Sequence, residues 1–246
     1  GYWSRGLGDV YKRQPMVKIN RVYTGGGDGG ESSLVDGSRR TKSDARFNVV
    51  GTCDEANSWL GMILAEVHRL PDHDDGGERT NVQRVQTVLA EALSRVQNEL
   101  FDLGAELACP PATLPDYMVL ISEGQTDVLM EEMDAWLETL PELKSFILPA
   151  GSPTVACMHV ARTVVRRLER TIVHLMDHQG KDAVRPLALV YVNRLSDWLF
   201  VMGRWVSMML NEEETLWVPL GMRSAEKGVA HRVNQMKAND DDFKAL

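Results

Sequence analysis

Cysteine is scarce in this chain, and its three residues, Cys53, Cys109 and Cys157, are widely spaced with no CxxC pair. That indicates neither a disulfide framework nor a zinc site, and a reducing cytoplasm is the expected compartment. No apolar run approaches the roughly 20 residues that a bilayer span needs, so no membrane segment is expected. Positive charge is in deficit: 27 Lys and Arg against 35 Asp and Glu leave a formal charge of −8 and a pI near 5.3. Nonspecific nucleic-acid binding draws its affinity from a basic surface and is not expected. The chain lacks GxxxxGK[ST], the phosphate loop of P-loop enzymes, and also HExxH and the ExxH pairs of di-iron bundles. Strand signal is almost absent, and there is no internal repeat. The opening GYWSRGLGDVYKRQ lacks the apolar stretch and cleavage site of a secretory signal. Residues 1–15 read as a non-native extension with the natural start at Met16; a genuine disordered extension is the alternative.

What is present is ordinary globular composition, 43% hydrophobic and 25% charged over 246 residues, enough for one substantial core. Three-four spacing of apolar residues predicts five helices. The first carries Trp59, Leu60, Ile63, Leu64 and Val67, with Thr52 or Asp54 as N-cap. The second runs from Thr80 to Leu107 with Val82, Val85, Val88 or Leu89, Leu93, Val96, Leu100, Leu103 and Leu107 inward. The third runs from about Ser122 to Leu140, opened by a Ser122–Gln125 capping box. The fourth runs to about His178 from a Ser152 N-cap, with Pro153 at its first position. The fifth runs from about Val184 to Leu210, with Leu187, Val190 or Tyr191, Leu195, Leu199, Met202 and Val206 inward. Lys18–Tyr23 reads as a short extended lead-in, 71–77 as a loop, and 216–246 as a polar tail. The fold class is all-α, a five-helix up-and-down bundle of ferritin-like architecture over residues 16–215, with a glycine-rich N-terminal segment.

That segment, TGGGDGGESSLVDGSRRTK from Thr24 to Lys42, is rich in glycine, hydroxyl and basic side chains. Glycines let backbone N–H groups converge into an anion-binding concavity, which hydroxyls and a lysine complete for a polyphosphate. A flexible surface loop is the plain alternative. In the fourth helix Arg162, Arg166 and Arg170 lie four apart and share one face. Such a row repels itself unless something anionic faces it, and guanidinium forks suit phosphate. A solvated basic face partnered by acids of a neighbouring helix is the alternative. Asn193 and Asp197 interrupt an apolar helix, either within a buried hydrogen-bond network or to read a nucleotide and hold an arginine. His174 and His178 have a spacing that can chelate a metal, though two histidines on the solvent side near a helix end are the more ordinary arrangement.

KINRVYTGGGDGG, SRRTKSDARF, VVGTCDEANSWLG, KSFILPAGSP, HVARTVVRRLERTIV and YVNRLSDWLFVMGR follow in that order. Together, over roughly Val17 to Leu210, they resemble the PduO-type ATP:corrinoid adenosyltransferases. The resemblance implies a helical-bundle homotrimer with active sites between subunits. It implies transfer of the 5′-deoxyadenosyl group of ATP to the cobalt of cob(I)alamin, giving adenosylcobalamin and triphosphate, with Mg2+ accompanying ATP. Thr24, Gly25, Gly26, Gly27, Ser32, Ser33 and Lys42 match the family's phosphate-binding positions. Arg166, Arg167, Glu169 and Arg170 match its second ATP-binding segment, and Asn193 its nucleotide-contacting asparagine. Arg162 and Asp54 match an intersubunit ion pair that helps build the site. Phe146 matches the aromatic residue that excludes the lower axial ligand of cobalt and so eases reduction of cob(II)alamin. A flavin reductase and an adenosylcobalamin-dependent client enzyme are the implied partners.

The chain departs from the family pattern in places. The loop usually reads T-[KR]-[TN]-G-D-x-G, and Gly25 and Gly26 replace its basic and hydroxyl residues; Arg21 and Arg39 are the cations that could supply the missing charge. Ala56 stands for the leucine of DELNS and Ala150 for the first glycine of PGG. Rival readings are another ATP enzyme, disfavoured by the absent P-loop; a bundle that carries adenosylcobalamin without transferase activity; and a ferritin-like metal protein.

Overall fold

The computed structural model describes Tyr23 and residues 25–71, 80–223 and 228–239. Residues 1–15, the lead-in with Arg21, Thr24, most of the 71–77 loop and the acidic run after Asn239 lie outside them. The chain divides into two compact units, Gly1–Pro141 with Pro149–Glu214, and Glu142–Leu148 with Thr215–Leu246. The first holds two short strands, β1 (Glu31–Ser33) and β2 (Arg39–Thr41), and five helices: α1 (Ala45–His68), α2 (Asn81–Leu107), α3 (Glu123–Leu137), α4 (Pro153–Gln179) and α5 (Pro186–Met209). The five form a helical bundle. In it α1 packs on α4 and α2, and α5 packs on α4 and α3.

Local chemistry sets the helix ends. Asp44 caps α1, its carboxylate accepting the Arg46 N–H at 2.8 Å; Thr52 and Asp54, the expected caps, lie well inside the helix. Gly51 hides this earlier start, because a mid-helix glycine costs about 1 kcal/mol. Burial of Val49 and Cys53 outweighs it. Thr80 caps α2 through the Gln83 N–H, and Gln125 reaches back to the Ser122 N–H at 3.0 Å. Ser152 stands at the N-cap of α4 with Pro153 first in the helix, as expected, but its buried hydroxyl makes no cap bond and has no partner among the described residues. Its N–H instead donates to Glu212 at 3.3 Å. Gly180 ends α4 at φ +96°, and Pro186 opens α5. Leu89 rather than Val88, and Tyr191 rather than Val190, face the core. Helix α3 stops at Leu137, short of Leu140.

Two polar assemblies tie this core together. Arg95 of α2 bonds Glu99 at 2.8 Å and Glu132 of α3 at 2.7 Å. Tyr191 of α5 donates to Glu99, and the Trp198 indole to Glu132, each at 2.7 Å. Every buried polar group in this set therefore has a partner. Burial and the adjacent Glu99 carboxylate push the Tyr191 phenol well above its ordinary value, so it stays a donor. Second, Arg46 is 1% exposed. Its guanidinium donates to the carbonyls of Leu107, Cys109 and Ala183 and to Gln179. It thereby joins the start of α1 to the ends of α2 and α4.

The strands pair antiparallel with Ser32 opposite Arg40 and Ser33 opposite Arg39. This hairpin lies inside the glycine-rich segment, for which the sequence reading carries no strand expectation. Its connection turns through Gly37 at φ +81°, and Leu34 there is buried. Val35 donates to the Ala108 carbonyl beyond α2.

In the second unit Ile147 pairs with Leu216, with Leu148 N–H bonded to Thr215 and Trp217 N–H to Phe146 at 2.7 Å. A further helix, α6 (Ala230–Asn239), lies in the stretch the sequence read as a polar tail.

Candidate active site

Period-two geometry sorts the hairpin side chains onto two faces. Arg40 and Ser32 take the half-buried face, and Arg40 pairs with Asp44 at 3.2 Å. Glu31, Ser33, Arg39 and Thr41 take the exposed face. Ser32 and Ser33, both expected at phosphate, therefore point to opposite sides of β1. The glycine turn before β1 is held by Asp28 N–H to Gly25 O and Gly30 N–H to Gly27 O, both 3.2 Å. Gly25 adopts φ +71°, a conformation side chains disfavour. Lys42 lies over this turn, its Nζ 3.1 Å from where a Gly27 Cβ would stand. Arg39 Nη2 donates to the Gly26 carbonyl at 2.8 Å. The turn and two cations thus form one cluster.

A second cluster forms where α4 meets α5 and α1. Asn193 donates to Glu169 at 3.0 Å and accepts from Arg194 at 3.2 Å. Arg167 pairs with Glu55 of α1. Arg170 folds back onto the Arg166 carbonyl at 3.0 Å. Arg166, Glu169 and Arg170 line an open groove of about 380 Å³ with Val173, His174 and Asp177. Among the described residues none of Arg162, Arg166 and Arg170 has an acidic partner. Arg162 is the most telling, being half-buried with its Nε unpartnered. Burial and the charge of Arg166 lower its pKa, in that order.

The structure brings Lys42 to the glycine turn and Asn193 to Glu169. It does not bring the two clusters together: among the described residues no hydrogen bond or ion pair joins the hairpin to Arg166, Arg167, Glu169 or Arg170. Asp54 is exposed, and its carboxylate has no ion-pair partner among the described residues; it lines a groove with Asn57, Gln97 and Phe101. Asp197 is exposed and pairs with no arginine among the described residues. His174 and His178 are exposed with ring centroids 4.0 Å apart. Phe146, in the second unit, is 78% exposed and meets Trp217 edge-on at 6.1 Å. Sequence reasoning missed Glu55 and Arg194. Glu55 carried a faint signal, an acid beside Asp54 on a helix facing an arginine row; Arg194 had none beyond adjacency to Asn193.

The sequence profile of the cobalamin adenosyltransferase family matches residues 22–206. A corrinoid adenosyltransferase of Mycobacterium bovis is 40% identical over 210 residues, 85% of this chain and 98% of the relative. That of Bacillus subtilis is 37% identical over 187 residues, 76% and 86% of the two chains. Among solved structures, a variant PduO-type ATP:corrinoid adenosyltransferase from Lactobacillus reuteri complexed with cobalamin and ATP superposes with a TM-score of 0.69. It is 30% identical and covers 81% of this chain and 100% of its own. A match of this extent, on a helical bundle carrying the glycine turn, the arginine row and the asparagine beside it, places the chain in the PduO-type cobalamin adenosyltransferase family.

Proposed function

We propose that this protein transfers the 5′-deoxyadenosyl group of ATP to the cobalt of cob(I)alamin, releasing triphosphate. One observation carries the reading beyond kinship: Arg162, Arg166 and Arg170 stand on one face of α4 with no acidic partner among the described residues. An anionic ligand relieves that repulsion. Cobalt(I) attacks C5′, the Co–C bond forms as C5′–O breaks, and the electron pair leaves on triphosphate. Cobalt passes formally from +1 to +3, so no activated serine or cysteine is required. The chain's task is to hold C5′ in line with cobalt and to stabilise charge on the leaving group. Backbone N–H groups of the glycine turn, Ser33, Lys42, Arg166 and Arg170 suit the phosphates. Asn193, held by Glu169 and Arg194, suits the nucleoside.

The separation of the two clusters supports a site shared between copies, in which the hairpin of one subunit meets α4 of the next. Unpaired Asp54 and half-buried Arg162 suit an ion pair across that boundary, and a homotrimer is the assembly we infer. Phe146 is assigned to the lower face of the corrinoid. Among the described residues no group of three or more His, Cys, Asp or Glu side chains fits a metal ion. Magnesium is proposed to accompany the ATP, whose phosphates suit a hard cation, and no residue is assigned to it. Among the described residues no helix is long and apolar enough to cross a membrane. The three free thiols and the need for a strong reductant suit a cytoplasmic setting. A flavin reductase is the proposed electron source and an adenosylcobalamin-dependent enzyme the proposed client.

The test is anaerobic: cob(I)alamin, MgATP and protein are mixed, and loss of cob(I) absorbance is followed with triphosphate analysis. Stoichiometric adenosylcobalamin and triphosphate are expected. Tight binding of adenosylcobalamin without conversion would sink the transferase reading. Arg166→Ala should lower turnover at least about 100-fold, the scale of losing a preorganised charge contact, with little change in melting temperature because Arg166 is exposed. An unchanged rate removes Arg166 from the site.

A further inference from the structure

We propose that Arg39 is a phosphate-binding residue of this protein, a cation folded over the glycine turn by the β-hairpin in place of one within the turn itself. The inference rests on the nucleotide-binding reading above and identifies which charge that site uses.

The turn from Gly25 to Gly30 contains no basic side chain; Asp28 is its one charged residue. Gly25, at φ +71°, is poorly suited to carry one. The hairpin compensates from across the strand pair. Arg39 Nη2 sits 2.8 Å from the Gly26 carbonyl, next along the chain from Gly27, over which Lys42 Nζ is placed. Register puts Arg39 directly opposite Ser33 on the exposed face, so a guanidinium, an ammonium, a hydroxyl and the turn backbone border one region. The N–H groups of Gly26, Gly27 and Gly29 donate to nothing among the described residues, which leaves them available to an anion.

Arg39 has donors to spare. A guanidinium carries five N–H donors. Arg39 uses one on Gly26 and another on a long 3.4 Å contact to Glu31, and its side chain is 49% exposed. Glu31 is a weak, solvent-screened partner, which a polyphosphate of higher charge displaces. Its neighbour Arg40 behaves differently. Arg40 lies on the other face, pairs with Asp44 and supports the α1 cap. Two adjacent arginines therefore divide their roles, one toward the fold and one toward ligand.

The experiment measures binding of inorganic triphosphate and of adenosine by calorimetry, and KM for ATP, in wild type, Arg39→Gln, Arg39→Lys and Glu31→Gln. Loss of a charge-assisted contact should weaken triphosphate about ten-fold or more in Arg39→Gln. Adenosine binding should stay unchanged and Arg39→Lys should recover part of the loss. Glu31→Gln should tighten triphosphate, and added salt should narrow every difference. Unchanged triphosphate affinity in Arg39→Gln overturns the proposal. So does an equal loss for adenosine and triphosphate, since that is what a merely pinned turn would give. A wild type that binds triphosphate but transfers nothing overturns the transferase reading alone, and the Arg39 comparison still decides. A wild type that does not bind triphosphate overturns both.

Discussion

At the residue scale, His159 is the titrating group whose setting is most legible in the structure. It lies buried on α4. Burial first, then the positive charge of Arg162, hold its pKa below the ordinary 6.5, with Glu214 opposing. The folded chain keeps it neutral while the unfolded chain takes up a proton, so the unfolded state binds more protons below the ordinary value. Stability contributed by this site is thus complete above about pH 6.5 and is lost as pH falls toward the lowered folded value. Denaturation midpoints measured from pH 7.5 to 5 should fall in the wild type and fall less in His159→Asn. An identical slope in the two proteins would contradict the assignment. Nothing in the sequence marked His159, because a lone histidine at helical spacing carries no sign of whether it is buried or what charge it faces.

At the element scale, Arg46 shows what local pattern conceals. The motif SRRTKSDARF offers three arginines in close order, and only structure separates them. Arg39 goes to the glycine turn, Arg40 to the α1 cap, and Arg46 into the core. Arg46→Met keeps the apolar stem but strips partners from three carbonyls and Gln179. Buried acceptors left unmet should cost about 3 kcal/mol or more, visible as a lower urea midpoint at unchanged denaturant slope. A midpoint within error of wild type would show that water fills the gap without cost. The helices themselves were readable because period and caps act locally: Thr80, Gln125, Pro153 and Gly180 hold the places the pattern gave them. The hairpin was not readable. Strands of three residues show too little alternation, and the bond that ties their connection to the bundle, Val35 N–H to the Ala108 carbonyl beyond α2, joins residues distant in sequence. The start of α1 was misplaced for a related reason, since Asp44 caps as well as Asp54 would and only burial of Val49 and Cys53 decides between them.

At the scale of the whole molecule, the two halves of the proposed nucleotide site each stand out in the sequence as motifs, but their relation does not, because no local rule joins Lys42 to Arg166. Within one chain no hydrogen bond or ion pair among the described residues joins them either, and that separation makes a quantitative prediction. Lys42→Ala damages the hairpin half and Arg166→Ala the α4 half, so each protein alone should be nearly inactive. If each site lies between two copies, mixing the variants under conditions that exchange subunits creates boundaries where an intact hairpin meets an intact α4. With equal amounts and random assembly, each half is intact with a chance of about one half, so about a quarter of sites recover in a cyclic oligomer. If instead each site is built within one chain, every site keeps one defect and no mixture recovers. Activity should therefore rise from near zero to about a quarter of wild type on mixing, peak at equal proportions and be absent when exchange is blocked. A flat response to mixing, in proteins shown by mass to have exchanged subunits, would return both halves of the site to a single chain.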